Sequence, residues 1–116
     1  MKHEERELAR RALDKELRPF RVAGKQKNPT QELLRRVRHV LGVPLAEVAR
    51  ELGVNRSVIL RLEESEGRGT ISLRSMSRVA GALNCKMVYA LVPQDGGTLG
   101  EMADRRKWVK ILGVRG

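Results

Sequence analysis

The stretch LAEVARELGVNRSVILRL, residues 45–62, decides the fold, because its small and apolar residues fall where two short helices must cross with almost no loop. Val48, Ala49 and Leu52 line one face of the first helix. Ala49 is small enough for a second helix to come close, and Gly53, at the helix end, can take the left-handed conformation that reverses the chain without steric penalty. Val54, Ile59 and Leu62 then resume the apolar stripe. The spacing predicts a helix-turn-helix, whose second helix projects from the protein and can enter the major groove of DNA.

Upstream, Thr30 reads as an N-cap with Glu32 in the first turn, where the helix dipole favours an anion. The helix it opens presents Leu33, Val37, Val40 and Leu41 to a core and stops at Gly42. Farther back, Leu8, Ala9, Ala12, Leu13, Leu17 and Phe20 recur at helical spacing and predict an amphipathic helix ending near Pro19. Residues 24–29, GKQKNP, mix breakers with positive charge and read as a flexible linker able to touch phosphates.

Downstream, residues 63–71, EESEGRGTI, read as a loop too polar to be buried, with Gly67 and Gly69 for tight turns. Ser72 reads as the N-cap of a helix that carries Met76, Val79, Ala80 and Leu83 on one face and ends at Asn84. The pattern then changes. Met87, Tyr89 and Leu91 alternate with Val88, Ala90 and Val92, as in a strand buried on both faces. A lone strand in a helical chain must pair its backbone somewhere, and the same strand of a second subunit is the simplest partner. Met87, Val88, Tyr89, Ala90 and Leu91 are therefore the expected contact of a homodimer. After a turn at residues 93–97, residues 99–112 predict a short helix with Met102, Ala103, Trp108, Val109 and Leu112 apolar. The expected architecture is all-α: about five helices around one core, plus flanking helices and one C-terminal strand. Residues 1–29 form the first segment, 30–85 the DNA-binding domain, and 86–116 the dimerisation strand and last helix.

Composition points the same way. A chain of 116 residues with formal net charge +10 expects a polyanionic partner. Its size suits one domain with appendages and leaves no room for a large catalytic scaffold. Cys85 is the only cysteine, so no internal disulfide forms, and a reducing cytoplasm suits the chain better than secretion. The first residues are charged rather than apolar, which argues against a signal peptide, and the longest apolar run, residues 87–92, is too short to span a bilayer. No GK[ST] phosphate loop occurs, the GGTLG at residues 96–100 lacks a βαβ context, and Glu63 and Glu64 read as helix-end charges rather than an acid and a base. No catalytic residue, cofactor or metal is expected. One cysteine and two separated histidines make no ligand cluster. Cys85 reads as a small buried residue, His39 as a packed or surface residue, and His3 as part of a fraying terminus.

With Asn55 at the N-cap, Arg56 and Ser57 fall on the exposed first turn of the second helix and Arg61 follows one turn later. These three are the candidate base-contacting residues. An Arg guanidinium can pair with O6 and N7 of guanine through two parallel hydrogen bonds, and Ser57 can serve base or phosphate. The competing reading makes Arg56 and Arg61 ordinary solvated charges, with Glu63 and Glu64 close enough to compete for Arg61. Leu60, between them, either meets a thymine methyl or packs. Asn55, Arg68, Lys25, Lys27, Arg35, Arg36 and Arg38 suit phosphates, since charges in linkers and loops position a protein without reading sequence.

The run LRRVRHVLGVPLAEVARELGVNRSVILRLEE, residues 34–64, resembles the DNA-binding domain of the Xre and Cro/C1 repressor family, including its small and glycine positions and the terminal RLE. The resemblance covers roughly residues 30–83 and implies a lambda-repressor-like bundle. The flanks extend it: LRPF at residues 17–20, EGRGTISLRSM at 66–76 and VYALVPQDGGTLGEM at 88–102 look like the bacterial group called mobile mystery protein A. Members of that group are encoded beside a Fic-domain protein, which implies an antitoxin or regulator paired with an AMP-transferring toxin. Two departures stand out. Where the repressor family often opens the first helix of the motif with Thr-Gln, this chain has Pro44 and Leu45, and Leu45 cannot make the Gln side-chain contact to phosphate; the backbone amides after Pro44 still can. Fic-inhibiting segments have Ser or Thr four residues before a Glu that precedes Gly or Asn, and here Leu62 stands before Glu66-Gly67. Direct insertion of an inhibitory Glu is not expected.

Together these readings expect a non-enzymatic, dimeric, sequence-specific repressor of the bacterial cytoplasm. It would bind an inverted-repeat operator, control its own operon and partner a Fic-domain protein, without membrane association. The main alternative is a protein-interaction module that restrains a partner and has only nonspecific DNA affinity. A ligand-responsive regulator lacks the extra domain it would need.

Overall fold

The computed structural model describes residues 1–25 and 32–113. They form an all-helical protein: α1 (His3–Arg21), a single 3-10 turn (Ala23–Lys25), α2 (Leu33–Val40), α3 (Leu45–Leu52), α4 (Arg56–Arg68), α5 (Leu73–Ala82) and α6 (Leu99–Leu112). The chain divides into a central unit, Thr30–Val88, and a discontinuous terminal unit made of Met1–Pro29 and Tyr89–Gly116. Four α-helices build the central unit rather than five, because the amino-terminal helix belongs with the carboxy-terminal one.

In the central unit, α3 packs against α4 and α5, and α2 against the same two helices. Val48, Ala49, Ile59, Val79 and Leu83 meet in the core with Leu34, ringed by half-buried Leu45, Leu52, Val54, Leu62 and Met76. Gly53 takes φ +67° and donates its amide to the carbonyls of Ala49 and Arg50, so α3 ends and the chain turns within three residues. Ile59, on the next helix, has 0% exposure.

Helix α2 is rotated from the face expected of it. Leu34, Val37 and Arg38 point inward, while Leu33 and Leu41 are exposed and Val40 is 84% exposed. A count of apolar residues overlooks Arg38, which enters the core because Glu63 meets it there. Glu63 is buried, so the expected polar loop at residues 63–71 is instead helix as far as Arg68, closed by Gly69 at φ +74°. Thr30, the expected N-cap, lies outside the described residues. The residue at the start of α2 is Glu32, in the left-handed region at φ +56°, with no side-chain cap of its own. The carboxylate of Glu66 supplies the cap from α4, accepting from the amides of Leu33 at 2.9 Å and Leu34 at 2.8 Å. At α5 the cap is local: Ser72 Oγ accepts from the Ser75 amide at 3.0 Å.

Residues 86–92 run without a helix or a backbone ladder in the single chain. The single chain does not by itself bury both faces: Tyr89 is 71% and Leu91 88% exposed, and Val88 is exposed too. Met87 and Ala90 are half-buried. Cys85 is also exposed rather than buried.

In the terminal unit, α1 packs against α6. Helix α1 continues past Pro19 to Arg21. Pro19 has no N–H for the helix ladder, and one turn back the Arg21 guanidinium donates to the Asp14 carbonyl at 2.7 Å. The Asp14 carboxylate caps α6, accepting from the amides of Leu99 at 2.7 Å and Gly100 at 3.0 Å, while Thr98 Oγ1 accepts from the Glu101 amide at 3.1 Å. At the turn before α6, Asp95 accepts from the Gly97 amide and pairs with Arg105 at 2.9 Å. These contacts, the amide first, hold its carboxyl below the ordinary aspartate value. Gly24 packs so tightly that a Cβ there would lie 2.5 Å from Val92 Cγ2. No helix among the described residues is long and apolar enough to cross a membrane.

Candidate nucleic-acid interface

The turn Gly53–Asn55 delivers the chain directly into α4, and burial fixes how that helix is rotated. Ile59 and Glu63 face the core one turn apart, with Val58 and Leu62 half-buried beside them. The opposite side therefore carries Ser57, Arg61, Glu64 and Arg68, with Leu60 at its edge, all exposed. Arg56, seven residues before Glu63, shares the side of the core residues and is exposed because it is the first residue of the helix. Residues 57, 61, 64 and 68 follow helical spacing, so they form one outward stripe.

Asn55 stands at the N-cap with extended backbone, φ −75° and ψ 150°, but its side chain makes no cap hydrogen bond. It is exposed beside the first-turn amides of α4. The competition expected for Arg61 is relieved at Glu63, which turns inward to Arg38. Among the described residues the ion pairs are Arg38–Glu63 and Arg105–Asp95, so Arg56, Arg61 and Arg68 are not neutralised by a neighbouring carboxylate. Leu60 is 44% exposed between the two arginines.

The phosphate candidates separate. Arg35 and Arg36 are exposed on α2, and Arg68 is exposed as the last residue of α4 rather than in a loop beyond it. Glu66 ties these two helix ends together through the amides of α2. Arg38 is excluded as a phosphate contact: its guanidinium is buried and its donors are taken by Glu63 and the Val43 carbonyl. The hydrogen bond to Glu63 raises its pKa above the ordinary arginine value in spite of burial. Lys25 belongs to the 3-10 turn of the terminal unit, and Lys27 lies outside the described residues.

Sequence reading passed over other exposed cations of the central unit, Arg50, Arg74, Arg78 and Lys86. Arg74 and Arg78 stand four apart on α5 opposite the buried Val79 and Ala80, a spacing that reveals one basic helix face. No group of three or more His, Cys, Asp or Glu side chains that could hold a metal occurs among the described residues. Compared with models of known protein families, with curated proteins and with solved structures, the chain matches none of them.

Proposed function

We propose that this chain is a dimeric, sequence-specific DNA-binding repressor that works without catalysis, with α3 and α4 as its helix-turn-helix and α4 as the recognition helix. The observation that carries this reading is the exposed side of α4, with Ser57 and Arg61 on its outward stripe and Arg56 exposed at its first position, while Ile59 and Glu63 anchor the same helix in the core. A rigid helix with unpaired arginines near its N-terminus is what base reading in the major groove requires. Arg68 lies twelve residues farther along α4, about 18 Å at the helical rise, so it suits a phosphate rather than the bases met by Arg56.

Dimerisation through residues 87–91 follows from the exposed apolar side chains of Val88, Tyr89 and Leu91, which have no ladder partner in one chain. A two-fold dimer presents its recognition helices to half-sites about one turn of DNA apart, roughly 34 Å, so the operator is an inverted repeat. Autoregulation, and pairing with a Fic-domain protein as its antitoxin-side partner, rest on the likeness of the flanks to the mobile mystery protein A group.

The test is binding to a labelled duplex from the region upstream of the coding sequence, against a scrambled duplex of equal length, across a salt series. A preference of about a thousandfold or more at physiological salt supports a specific repressor. Equal affinities that collapse together with salt mean charge-driven binding alone and favour the partner-binding reading.

A further inference from the structure

In the terminal unit, α1 and α6 pack so as to leave a solvent-open groove of about 330 Å³. Its floor is apolar, built from Ala9, Leu13, Leu99, Met102 and Ala103. Its rim is cationic, with Arg6 and Arg10 from α1 and Arg106 from α6. We propose that this groove receives an acidic amphipathic helix of another protein, independently of any DNA contact made by the central unit.

Three features select that occupant. No carboxylate lines the groove, and Asp14, one turn on from Arg10 along α1, is committed to the amides of Leu99 and Gly100. Arg6, Arg10 and Arg106 are in none of the ion pairs among the described residues, and Arg6 donates only to the Met1 carbonyl at 3.3 Å, so the three arginines that line the groove have no carboxylate counter-charge there. A helix that lays Leu-type side chains on the floor and carries Glu on either side satisfies both, the carboxylates meeting the Arg forks. A second copy of this chain suits the groove poorly, because the segments of the terminal unit carry fourteen Lys and Arg against eight Asp and Glu and would meet like charge across a two-fold axis. Arg10 lines the groove and is half-buried, as suits a rim arginine whose aliphatic stem can cover apolar surface.

The probe is a fluorescent synthetic peptide of about 15 residues with Leu at i, i+3, i+4 and i+7 and Glu elsewhere, titrated with the full chain by anisotropy. One control peptide has the same composition with its leucines scrambled off one face, and another replaces Glu with Lys. The acidic amphipathic peptide is expected to bind about tenfold tighter than either control or better, and Met102→Glu or Arg106→Glu is expected to weaken it by about tenfold. Arg106 is exposed, so its variant keeps the test open should Met102→Glu disturb folding. Equal binding of the scrambled peptide, or indifference to both substitutions, overturns the proposal. So does self-association of the chain that Arg106→Glu abolishes, which assigns the groove to a second copy, or peptide displacement by phosphatidylglycerol vesicles, which assigns it to a membrane surface.

Discussion

Arg38 on α2 and Glu63 on α4 meet in a buried two-point ion pair, with Nε to Oε2 at 2.6 Å and Nη2 to Oε1 at 3.1 Å. Arg38 Nη1 reaches on to the Val43 carbonyl at 3.1 Å, so one side chain joins α2, the turn after it and the middle of α4. Because Glu63 faces inward, Ser57 and Arg61 face outward, while Arg56 is exposed as the first residue of the helix. The pair therefore fixes the rotation of the proposed recognition helix about its own axis from the side opposite its outward stripe.

Breaking one side of this pair leaves an uncompensated charge in the core. Arg38→Ala and Glu63→Ala are each expected to lower stability by about 3–5 kcal/mol, read by urea denaturation. The double variant Arg38→Met/Glu63→Leu removes both charges and fills the space, so it should lose far less and can match the parent. A double variant as unstable as the singles would show that packing around the site, not charge burial, sets the cost.

Glu66 is the second long-range anchor, capping α2 through the amides of Leu33 and Leu34. Glu66→Ala is expected to cost about 1 kcal/mol, within the range of about 0.5–2 kcal/mol for lost caps, and to speed hydrogen exchange at those two amides. Glu66→Gln keeps one acceptor and should fall between. Unchanged exchange at Leu33 and Leu34 in the Ala variant would mean that water replaces the carboxylate without penalty.

The helices that could be read from the sequence are those whose determinants are local. Ala49, Gly53 and the Val48–Ile59 apolar spacing specify α3, its turn and α4; Ser72 specifies the start of α5 through a bond to a residue three positions on; α6 spans the residues its periodicity indicates. What escaped depends on partners far along the chain. Glu66 caps a helix 33 residues away, Asp14 caps one 85 residues away, and Arg38 and Glu63 are 25 apart, so no window of sequence contains both halves of any of these contacts. Polar residues whose partners lie so far away read as surface, so the sequence predicts a loop over residues 63–71 and a phosphate ligand at Arg38 where the structure has helix as far as Arg68 and a buried ion pair. Arg61 is legible as exposed because a helix anchored by Ile59 turns it away from the core, and Arg56 because it opens the helix ahead of the first buried position.

Arg56 and Arg68 separate reading from positioning. Arg56→Ala should cost about 1–3 kcal/mol on the operator and much less on scrambled DNA, relaxing base preference. Arg68→Ala, at the far end of α4, should weaken both duplexes alike and reduce the slope of log K against log salt by about one. Equal losses on operator and scrambled DNA for Arg56→Ala would make Arg56 a phosphate contact and move base reading to Ser57 and Arg61.

Tyr89 tests the proposed dimer. Its ring is exposed in the single chain, next to exposed Val88 and close to Leu91, on a stretch whose backbone has no ladder partner there. Burying those side chains against a second copy removes apolar area from water and pairs the free backbone groups, and a carboxylate introduced in the middle opposes both effects by desolvation and by repulsion from its symmetry mate. Tyr89→Asp is expected to yield a monomer by light scattering, with an unaltered helical circular dichroism spectrum, because an exposed side chain contributes little to the fold of one chain. Operator affinity should fall by about a hundredfold or more, since a monomer engages one half-site and loses the gain from the linked second site. Binding of a single half-site duplex should be nearly unchanged. A dimer that persists in Tyr89→Asp would place the two-fold contact elsewhere on the chain and leave residues 87–91 as an apolar connector between the two units.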